Sequence, residues 1–351
     1  MNTKVWKVDN YVDILESNPH IVDAAQLLQE NEVVALPTET VYGLGGNAES
    51  DEAVAKIFLA KGRPGDNPLI IHIADREQLC RFVSEIPETA ERLMEAFWPG
   101  PLTIIFKKKD GALSEKATAG LDSVGVRMPD HPVALSLLKA CGLPIAAPSA
   151  NSSGKPSPTH AEHVIEDLQG KIAGVLDAGP TGVGVESTVV DCTEAVPVIL
   201  RPGGVTKEQL EAVMGEVRID PALEGGAGEG GLKPKSPGMK YRHYAPNAPL
   251  YLVNGSRSFL QKLVTEKQQE GFRVGVLTTD VNKSEFLADV VIACGKRDEL
   301  ETVATELYDT LRRFNLEKVD VIFSEMFPKG GVGLAIMNRL EKAAGNKVIS
   351  E

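Results

Sequence analysis

Cysteine is scarce in this chain: four in 351 residues, at Cys80, Cys141, Cys192 and Cys294. No two stand close enough for a Cys-x-x-Cys metal or redox motif. A chain this long has core enough to do without disulfide staples, so four reduced thiols are expected. Positive charge is also in short supply. The 37 Lys and Arg residues face 49 Asp and Glu residues, for a formal net charge of −12. Proteins that hold polyanions over their whole surface are basic, so stable nucleic-acid binding is not expected as the main task. An acidic exterior around a local cationic cleft favours small anions over long ones, because a polymer must also cross the repulsive rim. No apolar run approaches the roughly 18 residues of a membrane span, and the first residues, Met1 to Trp6, lack the apolar stretch of a secretion signal. A cytoplasmic protein without a membrane partner is the expectation. Three catalytic signatures are missing as well. Gly154-Lys155 is followed by Pro156, which spoils a phosphate-loop match, and there is neither a His-Glu-x-x-His helix nor a Gly-x-Ser-x-Gly elbow.

What is present is an ordinary globular mixture, 42% hydrophobic and 25% charged. The length predicts about two domains. Gly225–Gly231 reads Gly-Gly-Ala-Gly-Glu-Gly-Gly, a stretch with maximal backbone freedom and nothing to pack. It divides the chain into an N-terminal domain over 1–215, a Gly/Pro-rich linker over 216–248 and a C-terminal domain over 249–351.

The N-terminal part mixes helical and strand patterns. Apolar spacing predicts a helix from Pro19 to Glu30, and Ser50 caps another that runs through Ala60. Thr206 and Gln209 form a capping-box signature. Strands are predicted at 33–36, 69–73, 102–106, 125–128, 174–177, 187–191 and 196–200. The expected class is α/β with a twisted mixed sheet. The C-terminal part alternates strands at 250–253, 274–277, 290–293 and 319–323 with helical stretches, which predicts a smaller, Rossmann-like domain with a parallel sheet.

Chemistry-bearing residues cluster in a few segments. Leu36-Pro-Thr-Glu-Thr-Val-Tyr-Gly-Leu-Gly-Gly46 follows a strand; its glycines predict tight turns and its hydroxyls a ligand-lining loop. Lys61 and Arg63 end a helix just before an X-Pro loop, where cations answer the helix dipole and also suit a triphosphate. His72 lies in an apolar strand, where a histidine most often serves as a hydrogen-bonded core residue. Arg127 interrupts the hydrophobic strand of Val126-Arg-Met-Pro129, so it needs either an internal ion pair or a substrate carboxylate. The loop after Ile145 crowds Ser149, Asn151, Ser152, Ser153 and Ser157 together, small donors of the kind that cradle phosphates. After the glycines, Ser236–Pro246 packs aromatic, basic and Pro/Gly residues together, so the linker is expected to fold over the active site.

Together, Pro37-Thr-Glu-Thr-Val-Tyr-Gly-Leu44, Lys61-Gly-Arg-Pro64 with Asn67-Pro-Leu69, Val126-Arg-Met-Pro129, Pro148-Ser-Ala-Asn151, Glu186-Ser-Thr188 and Arg201-Pro-Gly203 resemble the threonylcarbamoyl-AMP synthase family, whose catalytic module is called YrdC-like. They occur in the family's order, and the linker and tail resemble its long, two-domain form. The resemblance implies an enzyme that condenses L-threonine, bicarbonate (or CO2) and ATP to L-threonylcarbamoyl-adenylate and pyrophosphate. The product would pass to the separate proteins that complete N6-threonylcarbamoyladenosine on tRNA. It implies threonine contacts from Thr40, His72, Arg127, Ala147 and Ser187, and ATP contacts from Arg63, Asn67, Ser123, Ser149, Ser157, Arg201 and His243. Lys61 and Arg63 would neutralise phosphate charge as the catalytic cations. Mg2+ is expected with the ATP, with no tightly bound organic cofactor and no metal held by a protein cage. The main alternative is an RNA-binding module whose cationic cleft carries no adenylation activity. A second is the related carbamoyl-adenylate enzyme of hydrogenase maturation, but the zinc-finger-like cysteine sets of those chains are absent here.

Overall fold

A computed structural model describes residues 2–9, 15–223, 235–236 and 243–351. These residues fall into two compact units. One gathers the chain up to Ser153, Pro158–Gly182 and the stretch from Glu186 onward; the other gathers Gly154–Ser157, Val183–Val185 and the chain out to Glu351.

The first unit is built on a mixed sheet of eleven strands among the described residues. Its order is Lys4–Lys7, Gly174–Asp177, Val34–Leu36, Gly43–Asn47, Ile145–Ala146, Ile70–His72, Ser123–Arg127, Leu102–Lys107, Thr188–Asp191, Val198–Arg201 and Arg218–Ile219. On one face, helices Pro19–Gln29 and Pro132–Cys141 pack together over Trp6, Val34, Leu36, Ile145 and Leu176. The opposite face carries a larger core that includes Leu44, Ile57, Ile71, Ile104, Val126 and Val190.

The local signals behave as their chemistry requires. Ser50 accepts from the Ala53 amide at 3.3 Å and opens the helix Asp51–Lys61, which ends where Gly62 turns left-handed at φ 60°. That stop buries Lys61 and sends Arg63 into the following loop. The Thr206–Gln209 capping box is complete in both directions.

Two expectations need correction. The glycines after Tyr42 are not a tight turn: Gly43–Asn47 is a strand, antiparallel to Val34–Leu36. Glycine is required there by close packing, since a Cβ on Gly45 would meet Leu36 Cδ2 at 2.8 Å and Ile145 Cγ2 at 3.0 Å. The span 216–248 also begins with structure, because Arg218–Ile219 pairs with Val198–Ile199. Most of the remaining linker, with the expectation that it folds over the active site, lies outside the described residues.

The second unit carries five parallel strands in the order Val290–Ala293, Val274–Thr278, Val321–Glu325, Leu250–Asn254 and Val348–Ser350. Helices Arg257–Gln269, Leu300–Glu317 and Gly333–Ala344 connect them. The expected α/β architecture is present in both units. Among the described residues, no helix is long and apolar enough to cross a membrane.

Candidate active site

Strand pairing lines up a row of polar groups across the first sheet. His72 pairs with Arg127, Thr103 with Val189, and Val189 with Arg201. The antiparallel register of Ile104 with Val126, continued by one residue, sets Thr103 beside Arg127. Directly paired residues share a face, so these side chains line one surface, next to the small apolar patch of Ile70, Ile105, Val189 and Leu200.

Arg127 is the hub. It is 4% exposed and donates from Nε to the Gly100 carbonyl at 3.2 Å and from Nη1 to Thr40 Oγ1 at 2.9 Å. Its Nη2 stands 2.6 Å from the Glu39 carboxylate. Thr40 is held in turn by Thr38, whose Oγ1 lies 2.9 Å from Thr40 Oγ1 and donates to the Val41 carbonyl at 2.7 Å. The internal ion pair expected of Arg127 is present, with the hydroxyls of Thr40 and Thr38 close by.

His72 is buried, and its imidazole pKa is pulled down to about 3, first by burial and then by the Arg127 charge. It is a neutral ring with Nδ1 3.3 Å from the Ile70 carbonyl, able to hydrogen-bond a hydroxyl without adding charge. Ala147 donates its backbone N–H to the same carbonyl at 3.0 Å.

Farther along the row, Ser187 Oγ lies 2.8 Å from Thr103 Oγ1, and Arg201 embraces Ser187 through Nε to its carbonyl and Nη2 to its Oγ, each at 3.1 Å. Gly203 permits this, because a Cβ there would fall 2.2 Å from the Glu186 carbonyl oxygen. Ser187, expected with threonine, and Arg201, expected with ATP, are thus in direct contact.

A second cationic group stands around Lys61. Its buried ammonium donates to the Ser149 and Asn151 carbonyls, the latter at 2.7 Å, and ties down the serine-rich loop. Burial above all, then the Arg63 charge, holds its pKa well below the usual lysine range, while Asp167 and Glu186 oppose that fall. Arg63 donates to the Asn67 and Pro68 carbonyls, both at 3.3 Å. Asn67 is buried, and its side-chain Oδ1 has no hydrogen-bond partner among the described residues.

Ser123 starts the strand that Arg127 ends, so the two lie roughly 13 Å apart along it. Of the residues expected around threonine, Thr40, His72, Arg127 and Ala147 stand together at one end of the polar row, while Ser187 lies farther along it beside Arg201. Ser157 and His243 belong to the second unit. The sequence reading did not single out Glu39, Thr103 or His131 as site residues. Thr103 had one signal, a hydroxyl inside the apolar run Leu102–Phe106.

Two family models match the chain, one described as "Telomere recombination" over residues 26–203 and the other as "Threonylcarbamoyl-AMP synthase, C-terminal domain" over residues 205–345. The threonylcarbamoyl-AMP synthase of Bacillus subtilis (strain 168) is 59% identical over 99% of this chain and 100% of its own length. That of Pyrococcus abyssi is 50% identical over 93% of this chain and 94% of its own length. The crystal structure of P. abyssi Sua5 complexed with L-threonine has a TM-score of 0.92 at 48% identity, covering 99% of this chain and 100% of that one. With this fold, these paired domains and this identity over nearly its whole length, the chain belongs to the threonylcarbamoyl-AMP synthase family of enzymes.

Proposed function

We propose that this enzyme condenses L-threonine, bicarbonate (or CO2) and ATP into L-threonylcarbamoyl-adenylate, with release of pyrophosphate and, when bicarbonate is the carbon source, water. The observation that carries the proposal is the buried polar row, where Arg127, Thr40 and the neutral His72 gather at one end and Ser187 touches Arg201. Arg127 would take the threonine carboxylate through its Nη1 and Nη2 edge, with Thr40, His72, Ser187 and the Ala147 backbone around the rest of the amino acid. The relative solved with L-threonine supports an amino acid as the ligand.

ATP would lie along the sheet toward Ser123, with Arg63, Asn67, Ser149 and Arg201 as its contacts. An ammonium has three N–H bonds, and Lys61 directs two of them to loop carbonyls. The third would meet a phosphate oxygen, which would restore the proton affinity that burial removes. The residues read as ATP contacts are cations, hydroxyls and an amide, so Mg2+ would enter on the triphosphate oxygens and water.

Catalysis on this reading is mainly placement. The threonine amine captures the carbon of CO2, and the resulting carbamate oxygen attacks the α-phosphorus while pyrophosphate leaves. Proximity and preorganised positive charge supply the acceleration. The adenylate would then serve the proteins that complete the threonylcarbamoyl modification of tRNA. The test is pyrophosphate release from ATP, Mg2+ and bicarbonate across the amino acids. Release that depends on L-threonine supports the reading, and ATP-independent retention of RNA would replace it.

A further inference from the structure

Glu39 is the charged group of the polar cluster that this mechanism leaves without a task. Its side chain is 13% exposed and lies 2.6 Å from Arg127 Nη2, yet neither of its oxygens has an aligned hydrogen bond among the described residues. The contact is a close ion pair with lone pairs to spare. A further titratable group that feels Glu39 is His131, a buried residue just before the helix Pro132–Cys141. Burial holds its imidazole below the usual histidine range, against the pull of Glu39, and its Nδ1 likewise has no hydrogen-bond partner among the described residues.

The charges around Arg127 now constrain the ligand. A substrate carboxylate on the open edge of this guanidinium would sit beside the Glu39 carboxylate. Two anions against one cation in a buried site repel, unless a second cation lies between them. An α-amino acid carries that cation one carbon from its own carboxylate. With the zwitterion bound, Arg127, Glu39, the carboxylate and the ammonium sum to zero.

We propose that Glu39 anchors the α-ammonium of the amino acid and accepts the proton it must lose before it can be carboxylated. This rests on the reading of the site as an amino-acid pocket and assigns that pocket a catalytic residue. The ammonium N–H bond breaks and its proton moves to a Glu39 carboxylate oxygen. The freed amine lone pair then bonds to the carbon of CO2 generated from bicarbonate, and the adduct nitrogen gives its second proton to the hydroxide released with that CO2, forming water. With bicarbonate as the source, the sum is ammonium plus bicarbonate giving carbamate, water and one proton, and Glu39 takes that proton. A neutral Glu39 is also what the new carbamate anion requires beside it. His131, uncharged, adds no competing cation at this point.

The test compares L-threonine with 3-hydroxybutyrate, which keeps the carboxylate and hydroxyl but has no amine. In E39Q, the dissociation constant for L-threonine is expected to rise about ten- to a hundredfold, the usual effect of deleting a charged hydrogen-bond partner. Binding of 3-hydroxybutyrate should hold or tighten, because its carboxylate no longer meets the Glu39 charge, and this retained binding also shows that the variant is folded. The turnover deficit of E39Q should narrow as pH rises past the amine's own pKa, where solvent has already removed the proton. E39D, which keeps the carboxylate, should bind L-threonine better than E39Q. Equal weakening of both ligands, or a deficit that is constant with pH, would reduce Glu39 to a prop for Arg127 and overturn the assignment. Wild-type protein that releases no pyrophosphate on addition of L-threonine would instead overturn the parent reading, and this assignment with it.

Discussion

The two sheets of this molecule treat polar groups in opposite ways. In the five-stranded sheet the strand-end side chains of Thr278 and Glu325 and the neighbouring Asn282 satisfy one another, although the buried Thr279 Oγ1 next to them has no hydrogen-bond partner among the described residues. Thr278 Oγ1 donates to Glu325 Oε2 at 2.5 Å, Asn282 Nδ2 donates to Glu325 Oε1 at 2.9 Å, and Ser324 Oγ donates to a backbone carbonyl at 2.9 Å. In the eleven-stranded sheet His72, Arg127, Thr103 and Arg201 cross the middle strands in a row, and Glu39, ion-paired with Arg127, has no aligned hydrogen bond on either oxygen among the described residues. A saturated polar cluster stabilises a fold. An unsaturated one carries a desolvation penalty that a ligand can relieve, which supports the proposal that substrate binds at the first sheet.

The strongest way to break this comparison is a pair of variants. R127K keeps the charge but loses the planar fork, and threonine-dependent pyrophosphate release should fall on the order of a hundredfold or more, equivalent to about 3 kcal/mol. Glu325→Ala leaves the Thr278 hydroxyl and Asn282 amide unpaired and should cost about 1–3 kcal/mol of stability in denaturant titration, with turnover retained. Comparable turnover losses in the two variants would end the distinction.

Packing glycines should sharpen it from the other side, because both sheets have them. A Cβ on Gly45 meets Leu36 and Ile145, and one on Gly275 meets Phe314 at 2.8 Å. Each Gly→Ala substitution should therefore destabilise by about 1–3 kcal/mol, read as a drop in melting temperature, with no preference for either sheet.

Acid stability should separate them again. The folded pKa of His72 is about 3 against an ordinary 6.5, so between these values the unfolded chain binds the extra proton. The stability His72 contributes as a neutral ring is intact above pH 6.5 and is lost as pH falls toward 3, with a slope of up to ~1.4 kcal/mol per pH unit. His72→Gln should flatten that limb of a stability–pH curve. The smallest expected effect is at the Thr206 cap, where Thr206→Ala should cost about 1 kcal/mol and leave turnover unchanged.

Much of this was legible in the residues, and for local reasons. Ser50 as a helix cap and Thr206 with Gln209 as a capping box act over three residues, and the βα alternation after 249 announced a parallel sheet because each strand is a short buried apolar run. Arg127 announced itself as a charge inside an apolar strand. Glu39 did not, since a glutamate in a polar loop is ordinary until Arg127, 88 positions away in sequence, arrives 2.6 Å from it. The glycines after Tyr42 misled because glycine serves turns and close packing equally well, and only the neighbouring strands distinguish the two uses.

The chain by itself determined where helices begin and end, which runs are strands, and which residue types are available for holding an amino acid and a nucleotide, because these depend on contacts a few residues long. Tertiary structure alone decided that His72, Arg127, Thr103 and Arg201 share one row, that Glu39 meets Arg127, and that Lys61 faces inward to hold the serine loop. Those are pairings between distant strands, set by register and burial rather than by any neighbour in sequence.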